Sequence, residues 1–540
     1  MIPEAPDLAR SGRKAGGKCW YRPSVIVSRG GIRRRSGHLA IAASAAFVFG
    51  ALLVHLSPWL AAGLGYSHDG NNAAVWGLGA RGAVEDPIGN RLGGVQPDGT
   101  EYANHPPLLL WSLIPSTAIA EDSALGLRLV PLAASVATIA LAALVLLDAG
   151  VSRWATSAGI ILAGTTAMYL TYAALVDTPV FGLPFALASL WVAQRAWQGR
   201  PPATAAAIAI GALAALAGWQ ALLIAVLAGA CATLAPTRSI HKVRVAVFGL
   251  LGGAAVGLTI DLLWTSWVDG GLSALLDQGA SRTRLPTSMW FDQQVSYAVE
   301  LYGIPLLVFV VGGIAASLLQ SGDRGTDISA RIPSDSPVEP MQLLSAPPRR
   351  GWESTRPAIF VMIVGLAGYS ALFKHGAWVH SYWNFYGVAL VAMTAATLLD
   401  AVARAVQQFS PITRTITIGG LVAIVAVIAT TGAGSRSLSD LRIRQGLEVV
   451  PLVNTLPTAT SPDKVVVNTI GGNASKPWLK WTTHGQFRDL SLDQISTLAP
   501  TELTLVTFPT APRSLKPASG KLNGHFALVD GSSLRLLSGR

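Results

Sequence analysis

From Leu39 onward the chain runs in apolar stretches of roughly 20 residues, the length that crosses a hydrocarbon core as a helix, separated by short polar stretches rich in Arg and Lys. In order, they predict spanning helices over 39–60, 125–147, 155–173, 179–198, 203–218, 221–235, 245–264, 297–319, 357–373, 383–403 and 415–432. The pattern is that of an all-α polytopic membrane protein with about 11 transmembrane helices. The segment HPPLLLWSLIPSTAIA, from His105, is short for a crossing at roughly 15 residues and opens on two prolines; we read it as an interfacial helix. Parity agrees, because leaving it out places Arg153, Arg195, Arg200, Arg238, Lys242, Arg244 and Arg404 on one side of the membrane. Between 203 and 235, Gly218, Trp219 and Gln220 form a poor turn, and one long tilted helix is the rival reading.

The non-spanning segments divide the chain. Residues 1–38 are a basic, Gly- and Ser-rich arm, expected to be disordered and cytoplasmic, which makes 61–123 an outer loop. The 39–60 run is too long for the apolar part of a signal peptide. The 321–356 loop is expected to be cytoplasmic and floppy. In 433–540 the pattern changes to alternation, in KVVVN (464–468), ELTLVTF (502–508) and HFALVDGSSLRLL with Asp530 and Gly531 as a hairpin turn. This predicts a small soluble C-terminal α/β domain outside the membrane.

Composition supports the membrane class: hydrophobic residues make up 51% and charged residues 13% of 540, with a mean hydropathy of +0.46. The net charge of +11 sits in short loops, as the positive-inside rule requires, and does not call for nucleic acid as a partner. Cys19 and Cys231 fall in the arm and in an apolar run, so no structural disulfide is expected.

With this topology the uncommon polar residues gather at outer span ends: His68, Asp69, Asn104, His105, Asp177, Arg282, Arg284, Lys374, His375 and His380. Asp69 can serve as a base toward an acceptor hydroxyl, or as an Asx-type turn or helix cap in HDGNN. Asp177 in LVDTP has the same two readings, with Pro179 in the first turn of the following helix. Arg282, Arg284 and Lys374 can each hold a phosphate, or a lipid headgroup. His105 can contact a phosphate or sit in the interface. A divalent metal such as zinc could draw on His68, His105, His375 and His380, though their spacing matches no metal motif.

The order of Asp69, YANHPPLLLW (102–111), GLRLVPL (126–132) and LVDTP (175–179), followed by HSYWNFY (380–386), resembles the GT-C glycosyltransferases that use polyprenyl-phosphate sugars. Within them it is nearest the family 39-like branch of protein O-mannosyltransferases and aminoarabinose transferases. The resemblance covers about residues 39–400 and leaves out the C-terminal domain. It implies a long first outer loop bearing juxtamembrane helices, with essential acids at Asp69 and Asp177. Gly70 stands where relatives often carry a second acid, leaving Glu85, Asp86 and Glu101 to supply one, and His105 stands where they often carry Lys.

The reaction expected from this resemblance is transfer of a sugar, with inversion, from a polyprenyl-phosphate donor to an acceptor hydroxyl at the outer face of the cytoplasmic membrane. Asp69 acts as base, while His105, Arg282, Lys374, His380 and Tyr382 attend the donor phosphate. The acceptor can be protein, lipid or cell-wall glycan. A lipid or small-solute transporter is the alternative from another class, and needs a midplane site on broken helices. An inactive scaffold would tolerate loss of Asp69 and Asp177.

Overall fold

The computed structural model describes residues 29–64, 68–97, 99–120, 123–234, 240–319, 355–407 and 409–434, and then 466–468, 477–478, 481, 487–489, 503–507 and 526–530. The arm before Arg29, the 321–354 part of the loop expected to be cytoplasmic, and most of 433–540 lie outside the described residues.

The molecule is a bundle of apolar helices. Six are long and apolar enough to cross a membrane, or seven if one bent pair counts as a span, among the described residues. They include α1 (Arg29–Leu60), α4 (Ala124–Asp148), α10 (Ile240–Asp269), α14 (Thr355–Leu372), α16 (Gly387–Val406) and α17 (Pro411–Gly434). Between them lie α7 (Thr178–Trp197) and the shorter apolar helices α8 (Thr204–Ala217) and α9 (Trp219–Thr233). The chain is a multi-pass membrane protein.

Several expected spans are broken, each at a residue that explains the break. The expected 155–173 helix is two pieces, α5 (Arg153–Gly164) and α6 (Ala167–Tyr172), because the Thr166 hydroxyl caps the second by accepting from the Tyr169 amide at 3.1 Å. The expected 297–319 helix bends by 103° at Gly303, between α12 (Thr287–Tyr302) and α13 (Ile304–Leu319). Gly303 has φ +79°, a conformation that costs glycine little. Residues 29–38, expected to be disordered, continue α1 in helical form.

The 203–235 stretch is a hairpin. The Cβ positions of Gly249 and Gly257 on α10 would meet Ala207 and Ala215 on α8, so these two helices run parallel at close approach. Gly229, late in α9, meets Leu251, whereas Trp219 and Gln220 at its start reach Asn104 and Trp383 at the other end of the bundle. Gly218 makes the reversal in an extended conformation with no residue to spare.

The 61–123 loop is itself largely helical. It holds α2 (His68–Glu85), a 3-10 turn at Arg91–Gly93 and α3 (Leu108–Ala120). His68 and Asp69 therefore open α2 and do not end the first helix, as the sequence pattern suggested. At 13 residues α3 spans about 20 Å, short of the ~30 Å core; it buries Leu109, Leu110 and Leu113 against α2 and α4.

The opposite end of the bundle is tied by basic residues. Arg195 pairs with Asp148 at 2.9 Å, and Asp400 pairs with Arg404 at 2.9 Å and accepts from the Ser152 amide at 3.2 Å. In the C-terminal region four strands, β1 (Val466–Asn468), β2 (Phe487–Asp489), β3 (Leu503–Thr507) and β4 (Phe526–Asp530), form one sheet in the order β2-β1-β3-β4. β1 lies parallel to β2 and β3, and β4 is antiparallel to β3. The partner of β4 is thus the strand before it, and the expected turn at Gly531 lies outside the described residues.

Candidate active site

The α2 end of the bundle collects most of the predicted residues. Asp177 caps α7 from an extended backbone: one carboxylate oxygen accepts from the Thr178 amide at 2.6 Å, and the other accepts from the Asn72 side-chain amide at 2.7 Å. The cap reading of LVDTP holds, and the same carboxylate reaches across to α2. The Asn72 amide also donates to the Tyr382 hydroxyl at 3.1 Å, so α2, α7 and the 3-10 segment Ser381–Tyr386 meet at one side chain.

Asp69 lies one turn before Asn72 on the same face of α2. It is 4% exposed, in electrostatic reach of Arg128. Arg128, itself buried in α4, donates to the carbonyls of Trp59 at 2.8 Å and Leu60 at 3.0 Å and lies 4.0 Å above the Trp59 ring. A cation thus closes the C-terminal end of α1, where unpaired carbonyls and the helix dipole favour it.

His105 is buried beside Trp76 and Tyr102, with ring centroids 5.9 and 6.2 Å away. Burial first, then the charges of Arg282 and His380, hold its imidazole well below the ordinary 6.5, so it is neutral. Its Nδ1 has no hydrogen-bond partner among the described residues. The same field acts on Tyr102, which burial and the Asp177 carboxylate push up and Arg282 pulls down. Asp177, Arg282, His105, His380 and Tyr102 thus share one electrostatic environment.

Arg282, on α11 (Ser273–Thr283), holds its guanidinium 5.6 Å from the Trp383 ring, and His380 sits 5.2 Å from Tyr382 and 5.6 Å from Trp383. This aromatic segment is braced by donors on α12 and α9. Tyr302 donates to the Asn384 carbonyl at 2.6 Å, and Gln220 to the Trp383 carbonyl at 3.1 Å. Tyr172 and Ser381 share a short hydroxyl contact.

Other predicted residues lie further out. Lys374 opens α15 (Lys374–Val379) and donates to the Thr287 hydroxyl at 2.8 Å, and His375 stacks on Trp378 at 6.3 Å. Glu101 is exposed and pairs with Arg91 at 3.1 Å, away from the cluster. Arg284 is exposed at the end of α11. Asn104 contributes its backbone, accepting from the Trp219 indole at 3.3 Å. The side chain of His68 lies outside the described residues. Among the described residues no three His, Cys, Asp or Glu side chains gather closely enough to hold a metal ion.

Asn72, Tyr102, Trp76 and Arg128 are the central residues that sequence reasoning did not single out. A signal for Asn72 was available, since its i, i+3 spacing from Asp69 puts the two on one helical face if HDGNN starts a helix.

No protein-family model matches the chain, and no curated protein matches it. Among solved structures it resembles ArnT from Cupriavidus metallidurans in the apo state, at 12% identity and a TM-score of 0.57, over 91% of this chain and 99% of that one. It also resembles ArnT from the same organism bound to undecaprenyl phosphate, at 11% identity and a TM-score of 0.55, over 92% of this chain and 98% of that one. The fold is that of the GT-C membrane proteins.

Proposed function

We propose that this chain is a GT-C glycosyltransferase that moves a sugar from a polyprenyl-phosphate donor to an acceptor hydroxyl at the outer face of the cytoplasmic membrane, inverting the anomeric centre. The observation that carries this reading is the meeting of Asp177, Asn72 and Tyr382 beside the Arg282, His105 and His380 cluster, with Asp69 one turn away on α2. The shared fold of an ArnT bound to undecaprenyl phosphate supports a polyprenyl-phosphate partner.

In the reaction the acceptor oxygen forms a bond to the anomeric carbon as the bond from that carbon to the phosphate oxygen breaks. The hydroxyl proton passes to Asp69. The electron pair leaves on the phosphate, where Arg282 supplies a fork of donors, His380 stands in the same cluster and Lys374 lies nearer the rim. Asp177 fixes α2 against α7 through Asn72. Neutral His105 offers the phosphate a ring hydrogen bond but no charge. The ionisable groups of the candidate site lie together at the α2 end of the bundle, which favours a transferase over a transporter with a midplane site.

The test is transfer by the detergent-purified protein from radiolabelled polyprenyl-phosphate sugars to an envelope extract, with Asp69→Asn as control. Label reaching an acceptor with wild type alone supports the reading, and where it arrives tells protein from lipid or wall glycan. Transfer by Asp69→Asn at the wild-type rate removes Asp69 as base; no transfer by folded wild type from any donor removes the glycosyltransferase.

A further inference from the structure

The C-terminal region returns to the helix that carries Asp69 and Asn72. Trp478 is fully buried and Trp481 is 5% exposed, both in the apolar cluster that includes Ala73, Ala74 and Trp76 of α2. Arg81 grips Trp481 twice: its guanidinium donates to the Trp481 carbonyl at 3.1 Å and lies 4.3 Å from the centre of the indole ring. One turn earlier Gly77 lets the ring touch the helix backbone, since a Cβ there would stand 2.5 Å from Cζ3 and 2.9 Å from Cε3 of Trp481.

These contacts use a different face of α2 from the candidate site. Asp69, Asn72 and Trp76 line one stripe at i, i+3, i+7 spacing; Gly77 and Arg81 lie on another, roughly 130° around the helix. A helix whose base and hydrogen-bond donor face the reaction is therefore pressed from the side by an indole that arrives from some 400 residues later in the chain, the separation of Arg81 and Trp481 being 400.

We propose that Trp481, held by Arg81 against Gly77, is a positioning residue for the transfer reaction, setting the rotation and depth of α2 and so the placement of Asp69 and Asn72. This rests on the glycosyltransferase reading. It also assigns the C-terminal region a part in the chemistry, as the support of the catalytic helix. Because Asp69 engages the acceptor proton in the transition state, while Arg282 and His380 belong to other elements, misplacing α2 lowers kcat and leaves donor KM near its wild-type value.

The experiment measures kcat and donor KM in the full-length protein for Trp481→Ala, Trp481→Phe and Gly77→Ala, alone and combined with Asp69→Asn, with active sites counted by donor-lipid binding. Trp481→Ala is expected to lose about tenfold or more in kcat per donor site, since a misplacement of about 1 Å can cost 10²-fold. Trp481→Phe keeps a ring on Gly77 and recovers most of the rate. Gly77→Ala, which removes no core side chain, gives the same kcat loss if Trp481→Ala does not fold. Added to Asp69→Asn, either change costs clearly less than it does alone, because much of its effect passes through that carboxylate.

A kcat unchanged in Trp481→Ala and Gly77→Ala, or a loss that multiplies fully with Asp69→Asn, overturns the proposal. Hydrogen exchange supplies a readout independent of activity: Trp481→Ala speeds exchange of the α2 amides and leaves α7 unchanged. If wild type transfers no sugar, the functional reading fails, and unchanged α2 exchange then overturns the positioning role as well.

Discussion

The side-chain amide of Asn72 donates to the carboxylate of Asp177 at 2.7 Å, across 105 residues of sequence, and also reaches the hydroxyl of Tyr382 at 3.1 Å. One amide thus joins α2 to the start of α7 and to the 3-10 segment before α16. Asn72→Ala removes the donor and is expected to lower transfer by about 10²-fold, as loss of a positioning contact does. Asn72→Asp is worse, because a second carboxylate then faces Asp177 at hydrogen-bond distance and the two charges repel. Its activity recovers as pH falls and one of the pair takes up a proton. An Asn72→Asp protein faster than Asn72→Ala at neutral pH would falsify this coupling.

His105 gives a pH signature. Its folded pKa lies well below the unfolded value near 6.5, so above that value the neutral ring costs nothing. As pH falls below it, the unfolded chain binds a proton that the folded site refuses, and stability declines. His105→Gln removes that penalty. Melting curves from about pH 7.5 down to about pH 5 should show the variant gaining on wild type as acidity rises. Parallel curves would mean that His105 titrates normally. Since His105 stays neutral near pH 7, His105→Gln also keeps the acid limb of the transfer rate where it was.

Arg128 joins α1 to the start of α4 and stands in the field of Asp69. Replacing it by Met keeps the volume but leaves the Trp59 and Leu60 carbonyls without their donor. The loss is expected to be about 3–5 kcal/mol, typical of breaking a buried charged contact. Thermal unfolding in detergent measures it, and a shift too small to detect would show that water or lipid replaces the guanidinium. Arg128→Lys keeps charge yet not the fork, and should recover only part.

How far this architecture is readable from sequence depends on what each feature rests on. The apolar helices are legible because hydropathy marks them locally, but of the eleven expected spans only six or seven are long and apolar enough to cross, among the described residues. Breaks at Thr166 and Gly303 are not legible, since a capping hydroxyl and a positive-φ glycine leave the apolar run unbroken in sequence. In the site, LVDTP and the HPP block announce themselves by unusual composition. Asn72 and Tyr102 do not, because their roles come from contacts formed only when α2, α7 and the segment after α15 meet. Arg81 and Trp481 are further still from view: no local pattern reports a contact between a loop helix and the C-terminal region.

The close approach of α8 and α10 offers a test of the hairpin. Gly253 lies against the Ile208 backbone with no room for a Cβ, within the i+4 series Gly249, Gly253, Gly257. Gly253→Val should push the helices apart and cost about 1–3 kcal/mol. Gly252, which has nothing within 4 Å, is the matched control, and Gly252→Val should cost far less. Equal melting temperatures for the two variants would argue that α8 does not pack along α10.

Arg282 and Lys374 make unequal partners for a phosphate. The Arg282 guanidinium is 5.6 Å from the Trp383 ring, and its charge is felt by Tyr102 and His105, whereas Lys374 is engaged with Thr287 nearer solvent. A planar guanidinium can stack on the indole and present two parallel donors to a phosphate, and an ammonium cannot do both. Arg282→Lys should therefore raise donor KM by about tenfold despite keeping the charge, the loss of about 1.4 kcal/mol expected of a fork reduced to a point charge. Arg282→Ala should raise it further and lower kcat as well, since the leaving phosphate gains charge as the bond breaks. Lys374→Ala should move KM by less than Arg282→Lys, and its effect should fade with added salt because an exposed cation is screened. If Lys374→Ala is the more damaging of the two, the phosphate sits nearer α15 than the aromatic cluster, and the donor would have to enter over Thr287.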